Sequence, residues 1–207
     1  IELNPNYATA HQWYALYLVS MGRASEAASE ITLAQRLDPL SMVISTTAAQ
    51  IMLYARRYDD ALEQCRKVFE LYGGFAPAHF MEARAYEEKG RYPQALAEFE
   101  KADTLAGSSP AMRMGIARAY ALSGDKGKAR EELGVLLALS RQRYVPALYI
   151  MAVYAGLDDK DRAFEWLKRA LDDRSDYLVY LEREPGLDNL RSDRRFSELV
   201  RPIGLPP

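Results

Sequence analysis

Cysteine is almost missing from this chain of 207 residues, where Cys65 stands alone. No disulfide framework can form within one chain, and the redox compartment stays open, the cytoplasm being favoured. Histidine is nearly as scarce, with His11 and His79 the only two. No run of 18 apolar residues occurs and no charged–apolar–small pattern leads the chain, so these residues hold no membrane-spanning helix. Charge of either sign is not in excess: 27 Lys and Arg face 29 Asp and Glu, a net −2. No global positive field therefore draws in nucleic acid or an anionic membrane. Alternation at period 2 is absent, which argues against strands. What is present is 49% apolar and 27% charged residues, enough apolar content for a real core.

The apolar content is periodic. Written in blocks of 34 from Ala8, the chain falls into five without insertion: 8–41, 42–75, 76–109, 110–143 and 144–177. The eighth position reads Ala15, Ala49, Ala83, Ala117, Met151, and the twentieth is Ala27, Ala61, Ala95, Ala129, Ala163. Small residues there let two helix axes approach closely. Ile31, Cys65, Phe99, Leu133 and Leu167 fill the spaces between, as do Leu18, Met52, Tyr86, Tyr120 and Tyr154. Position 15 holds Gly22, Gly90 and Gly124, with Arg56 and Asp158 as exceptions, which suits a left-handed residue closing a first helix. Ser25, and Asp59 or Asp60 ahead of Glu63, are expected to cap second helices. Each block then reads as a helix–turn–helix hairpin, and the whole as all-α.

The ends differ. "IELNPNY" falls in phase as the last turn and exit of a preceding unit, so residues 1–7 are read as the remnant of a truncated repeat. Trp13, Tyr14 and Tyr17 would then be left sticky, with self-association through that end as the consequence. Residues 178–207 are read as a helical C-terminal cap, because Pro185 falls where a helix interior belongs. A short helix to about Glu184, a turn at Pro185-Gly186 and a last helix after Ser192 or Asp193 are expected, with Phe196, Leu199 and Val200 inward and the arginines outward. Pro206-Pro207 reads as a stop.

The spacing resembles the tetratricopeptide repeat, W-x2-L-G-x2-Y, then A-x3-F, then P, over 34 residues. The chain departs at position 4 (His11, Ser45, His79, Arg113, Ala147) and at position 32, where proline occurs only as Pro39. The resemblance implies a right-handed α-solenoid of antiparallel helix hairpins, with no enzymatic activity and a protein or extended peptide as partner. "RYVPALYIMAVYAGLDDKDRAFEWLKRAL" and "LRSDRRF" are also similar to the C-terminal repeat region of multi-domain bacterial regulators. That likeness implies an N-terminal winged-helix, cyclase or Ser/Thr kinase output domain. Such a domain would be an intramolecular partner, and the chain a ligand-sensing or regulatory module for it.

No residue set for catalysis, a cofactor or a metal comes together. His11 and His79 lie two units apart, on the order of 20 Å, too far to share one zinc ion; packing roles are expected for both. Cys65 sits in a packed column, where a buried, inert thiol is expected. "GGFAP" at residues 73–77 lacks the rest of a phosphate loop. Arg191, Arg194, Arg195 and Arg201 are interleaved with Asp193 and Glu198, a mixed-charge face rather than a nucleic-acid patch. What is left is the concave surface. In the resembled architecture first helices line it, and the matching columns here offer Gln12, Leu16, Gln50, Tyr54, Phe80, Arg84, Met114, Arg118 and Leu148. Three large apolar side chains beside two arginines suit an extended peptide bearing a hydrophobic group and a carboxylate.

Overall fold

A computed structural model of the chain describes residues 1–205; the Pro206-Pro207 stop lies outside them. Ten helices form five antiparallel hairpins: α1 (Ala8–Ser20) with α2 (Ala24–Leu37), α3 (Met42–Tyr54) with α4 (Tyr58–Leu71), α5 (Ala76–Glu88) with α6 (Tyr92–Ala106), α7 (Pro110–Ser123) with α8 (Lys126–Ser140), and α9 (Ala147–Gly156) with α10 (Lys160–Asp172). Successive first helices α1, α3, α5, α7 and α9 touch one another and make a continuous inner layer. The hairpins stack as a right-handed all-α solenoid.

Packing follows the small columns. Ala27, Ala61, Ala95, Ala129 and Ala163 are all fully buried, as are Ala15, Ala49, Ala83 and Ala117. The core is divided along the stack into a cluster over α1–α4, one over α5–α7 and one from α7 to the C-terminal segment, as expected where each unit buries surface only against its neighbours. Cys65 is fully buried, and burial raises its thiol pKa far above the ordinary value.

All five hairpin turns hold a left-handed residue: Gly22, Gly90 and Gly124, but also Arg56 (φ 59°) and Asp158 (φ 60°). The next amide closes back on the first helix in four of them, from Arg23 to Leu18, Arg57 to Met52, Arg91 to Tyr86 and Asp159 to Tyr154, at 2.8–3.0 Å. That bond ties the turn, and glycine satisfies it without strain. The capping expectation is corrected. Ser25, Asp59 and Asp60 lie inside their helices, and the residues that open α2 and α4, Arg23 and Arg57, make no side-chain cap. Ion pairs Arg23–Glu26 and Arg57–Asp60, both 2.6 Å, straddle those helix starts instead. Capping oxygens come from Ser41, Ser109, Asp125 and Asp159.

After α10 the 34-residue rhythm stops. Residues 176–180 and 185–187 are short 3-10 turns, followed by α11 (Asp188–Arg191) and α12 (Arg194–Val200). No helix runs to Glu184. Phe196 and Val200 are buried in the last cluster with Leu187 and Leu190, and Leu199 packs against its edge. Arg194 and Arg195 are exposed, but Arg191 is not outward: it donates to the carbonyls of Leu181 and Glu184 and pairs with Asp188. This guanidinium holds the bend that the Pro185 ring, lacking an N–H, cannot hold by backbone bonding.

Candidate functional site

Position 4 of the hairpins has a job of its own. His11 Nδ1 lies 2.6 Å from Glu30 Oε2, and Nε2 lies 2.8 Å from the Pro5 carbonyl. His79 repeats this with Glu98 and Gly73 at the same two distances. Arg113 reaches Glu132 over the same separation in sequence, at 2.9 Å. Each bond fastens the first helix of a hairpin to its second, and the histidines also fasten the incoming loop. The His11 pKa is raised, chiefly by the Glu30 hydrogen bond and next by the Pro5 carbonyl. Beside His79 a further acid, Glu82, brings three ligand-type atoms within 4.8 Å of one another. Burial, helped by Glu98, pushes the Glu82 carboxyl up to about 7. Both ring nitrogens of His79 are already engaged, as those of His11 are without a third acid, so this arrangement reads as a fastening of the fold.

The inner layer carries an apolar hollow, a pocket of about 330 Å³. Gln50, Tyr54, Phe80, Arg84, Met114, Arg118 and Leu148 all line it, from α3, α5, α7 and α9. Gln12 and Leu16 do not. Gln12 is buried and donates to Thr47 Oγ1 at 2.8 Å, and Leu16 packs half-buried on the first core cluster. Phe80 stands edge-on to Phe99 with ring centroids 5.6 Å apart. The aromatic and methionine walls are supplied by neighbouring hairpins because those columns face inward on first helices.

The two arginines are not open to solvent. Arg84 and Arg118 are 8% and 6% exposed, and acids of the same chain hold them: Glu184 on Arg84, and Glu87 with Glu88 on Arg118. Two guanidiniums thus face three carboxylates. Burial pushes the Glu87 carboxyl up to about 7, against the pull of Arg118, and one of its oxygens has no hydrogen-bond partner. Burial also opposes ionisation of Glu184, but Arg84 and Arg118 together bring its pKa below the ordinary value. The expectation of arginines waiting for a partner's carboxylate is corrected in this respect, since a carboxylate is already there.

That carboxylate arrives on the C-terminal segment. Tyr180 stacks on Tyr54 with centroids 5.1 Å apart, and the Arg84 guanidinium also lies over the Tyr54 ring, 5.8 Å from its centroid. Tyr177, Leu181 and Leu187 complete the pocket wall. Beyond the pocket Asp188 takes a bidentate bond from Arg56 at 2.7 Å. Gly186 lies against the Arg118 guanidinium, so closely that a Cβ would overlap it. Sequence reasoning missed Tyr180, Glu184 and Gly186. The break in period at Pro185 was the available signal, but where the chain goes after the break depends on the curvature of the whole stack.

Two family models, each described as tetratricopeptide repeat, match residues 46–110 and 88–153. No curated protein sequence matches the chain. Among solved structures, a thermophilic tetratricopeptide protein of Thermus thermophilus is 19% identical, with a TM-score of 0.65 over 87% of this chain and 98% of that one. Cut9 with Hcn1, in a hetero-tetramer of the APC/C, gives 16% identity and 0.65 over 96% of this chain and 43% of that one. YrrB, a tetratricopeptide protein with an unusual peptide-binding site, gives 18% and 0.52 over 88% and 94%. At these identities the likeness is one of fold. Among the described residues no helix is long and apolar enough to cross a membrane. The fold is generally a protein–protein interaction scaffold, and with the matched stretches joining into residues 46–153 this chain carries tetratricopeptide repeats.

Proposed function

We propose that the chain is a non-enzymatic scaffold module that receives an extended protein segment in its concave groove. One observation carries the reading: the groove is lined by apolar columns of four hairpins, and residues from 177–187 of the same chain lie across it and complete its wall through their side chains. The unit of assembly is taken as the five blocks between residues 8 and 177, with 178–207 covering the last face. YrrB is described as having a peptide-binding site, which is consistent with this use of the fold. The test is selection from a displayed random-peptide library against the wild-type chain and against Phe80→Ser and Met114→Ser. Peptides lost by both variants, with helicity unchanged, are the expected result; capture indifferent to both would move binding off this face.

A second reading is favoured by the fact that the groove's occupant is intramolecular: a regulatory module within a larger bacterial regulatory protein, governing an attached DNA-binding, cyclase or kinase domain. Activity of such an output domain that is unchanged by Tyr180→Ala would sink it. Trp13 and Tyr17 are 66% and 53% exposed on α1, and self-association through that face is also inferred. Sedimentation that is identical for wild type and Trp13→Ser/Tyr17→Ser would sink that part.

A further inference from the structure

Residues 176–184, "DYLVYLERE", are attached to the solenoid in an unusual way. Their backbone hydrogen bonds run from Leu178 to Ser175, Leu181 to Leu178, Arg183 to Tyr180 and Glu184 to Tyr180. All are local. None of these bonds reaches α1–α10. The segment is fastened across the groove by side chains: the Tyr180 ring on Tyr54, the Glu184 carboxylate on Arg84, and Leu181 in the apolar wall. Both ends carry fixed points. Arg174 adopts a left-handed conformation (φ 50°) before it, and the Arg191 guanidinium clasps the Leu181 and Glu184 carbonyls after it. Two of its partners, Arg84 and Tyr54, lie 100 or more positions earlier in the chain and are met as a peptide ligand meets them, while Leu178 and Leu181 pack into the last core cluster beside α9 and α10.

We propose that this segment is a displaceable occupant of the groove, and that the partner able to displace it is an acidic peptide of matching chemistry. Building on the groove reading above, the partner carries an aromatic residue, a leucine directly after it and a glutamate four positions beyond the aromatic. Each element has a receptor in the groove. The aromatic takes the Tyr54 face, the leucine takes the apolar wall, and the glutamate takes Arg84, whose buried charge is otherwise left against Glu87 and Glu88 alone. The requirement for acid follows from geometry: with a neutral residue at that place Arg84, 8% exposed, loses the carboxylate that contacts it, and a hydrogen bond to a charged group is worth more than a neutral one. A tethered segment competes at an effective concentration in the millimolar range, so the wild-type chain is a weak binder until a partner matches this pattern.

The test uses the full chain and a fluorescein-labelled peptide of sequence SDYLVYLEREPG. Anisotropy titration is expected to give at least tenfold tighter binding to Tyr180→Ala/Glu184→Ala than to wild type. A control peptide with its second Tyr and last Glu replaced by Ala should bind neither. Equal affinity for the two chains, or binding of the control, overturns the proposal. Hydrogen exchange on the wild-type chain supplies a check that needs no variant: amides of 176–184 should exchange at least tenfold faster than those of α9 and α10. Exchange in step with those helices makes the segment inseparable from the core and overturns the proposal equally. If the library selection yields groove-dependent peptides of other chemistry, this inference fails while the scaffold reading stands; if neither method finds a groove-dependent peptide, the scaffold reading itself fails.

Discussion

The hairpin junctions and the groove both bury charge, and they do so in opposite ways. At the first and third junctions one histidine bonds one carboxylate and one carbonyl, 19 and 6 positions away, and at the third Glu82 stands beside them. In the groove two guanidiniums meet three carboxylates drawn from α5 and from a segment 100 positions away. The junction is local and repeated. The groove is over-supplied with acid, non-local and made once. A local site fastens a fold; a non-local one holds its charges by virtue of what is docked there, and is the place where a change of occupant changes the energetics.

The largest effect expected from this difference is on Arg118. Above pH 7, where Glu87 is ionised, removing Arg118 strands that carboxylate, which is 3% exposed, and loss of one partner of a buried pair costs about 3–5 kcal/mol. Arg118→Ala should therefore lower the urea midpoint strongly, whereas Arg118→Met/Glu87→Met should recover most of the loss by replacing the pair with apolar packing. A double variant no more stable than the single one would show that Glu88 and Glu184, not Glu87, dominate the balance.

The next test is pH. The Glu87 carboxyl is pushed from 4.5 up to about 7 on folding, first by burial, so the folded state holds a proton that the unfolded state releases. Its contribution is full below 4.5 and is lost as pH rises towards 7. At about 1.4 kcal/mol per pKa unit the decline is at most about 3–4 kcal/mol, and Glu87→Gln should flatten it. Glu184 runs the other way in a separate window: its folded pKa is depressed, so its contribution is present above 4.5 and lost as pH falls through the folded value. Stability profiles of wild type and Glu87→Gln that stay parallel between pH 4.5 and 7 would remove Glu87 from the account.

The contrast also marks what could be read in the sequence. Columns of alanine and the left-handed position recur every 34 residues because each hairpin solves the same packing problem, and repetition makes the solution visible. Seven of nine groove candidates line one pocket for the same reason: their columns place them on inner helices. Glu184 and Tyr180 were not legible because nothing repeats them. Their positions depend on how far the small rotations between successive hairpins bring α3 and α5 round towards the C-terminal segment. The polar role of His11 and His79 was missed for a milder reason. Each acid partner lies 19 positions on, at column 23, a pairing that appears only once the two columns are read together.

A smaller effect tests the junction side. The His11 pKa is raised above 6.5 by Glu30 and the Pro5 carbonyl, so its contribution is complete below pH 6.5 and is lost as pH rises through the folded value. Two charge-assisted bonds with one partner near the surface are worth about 1–2 kcal/mol. His11→Gln should lower stability by that amount at pH 6 and by much less at pH 9. Thermal melts at the two pH values decide it: an equal loss at both would mean that the imidazole serves by its shape alone.

The smallest effect lies where junction and groove share a residue. Arg56 and Asp158 fill the left-handed turn position that glycine fills elsewhere. An L-residue there costs about 1–2 kcal/mol, offset by about 0.5–1 kcal/mol of extra chain entropy that glycine loses on folding. Asp158→Gly has only this exchange to make, and the aspartate side chain tolerates the region better than most, so a gain of about 0.5 kcal/mol is expected. Arg56→Gly makes the same exchange and also gives up the bidentate pair with Asp188, both partners about half exposed, worth about 0–1 kcal/mol. It should come out near zero. Gly90→Ala, with nothing within 4 Å of the added Cβ, isolates the backbone cost and should lose about 1 kcal/mol. Measured together by urea unfolding, the three variants should rank Asp158→Gly above Arg56→Gly above Gly90→Ala. If Arg56→Gly were the most stable of them, the link from Arg56 to the C-terminal segment would add nothing to the fold, and the groove's occupant would be held from the pocket alone.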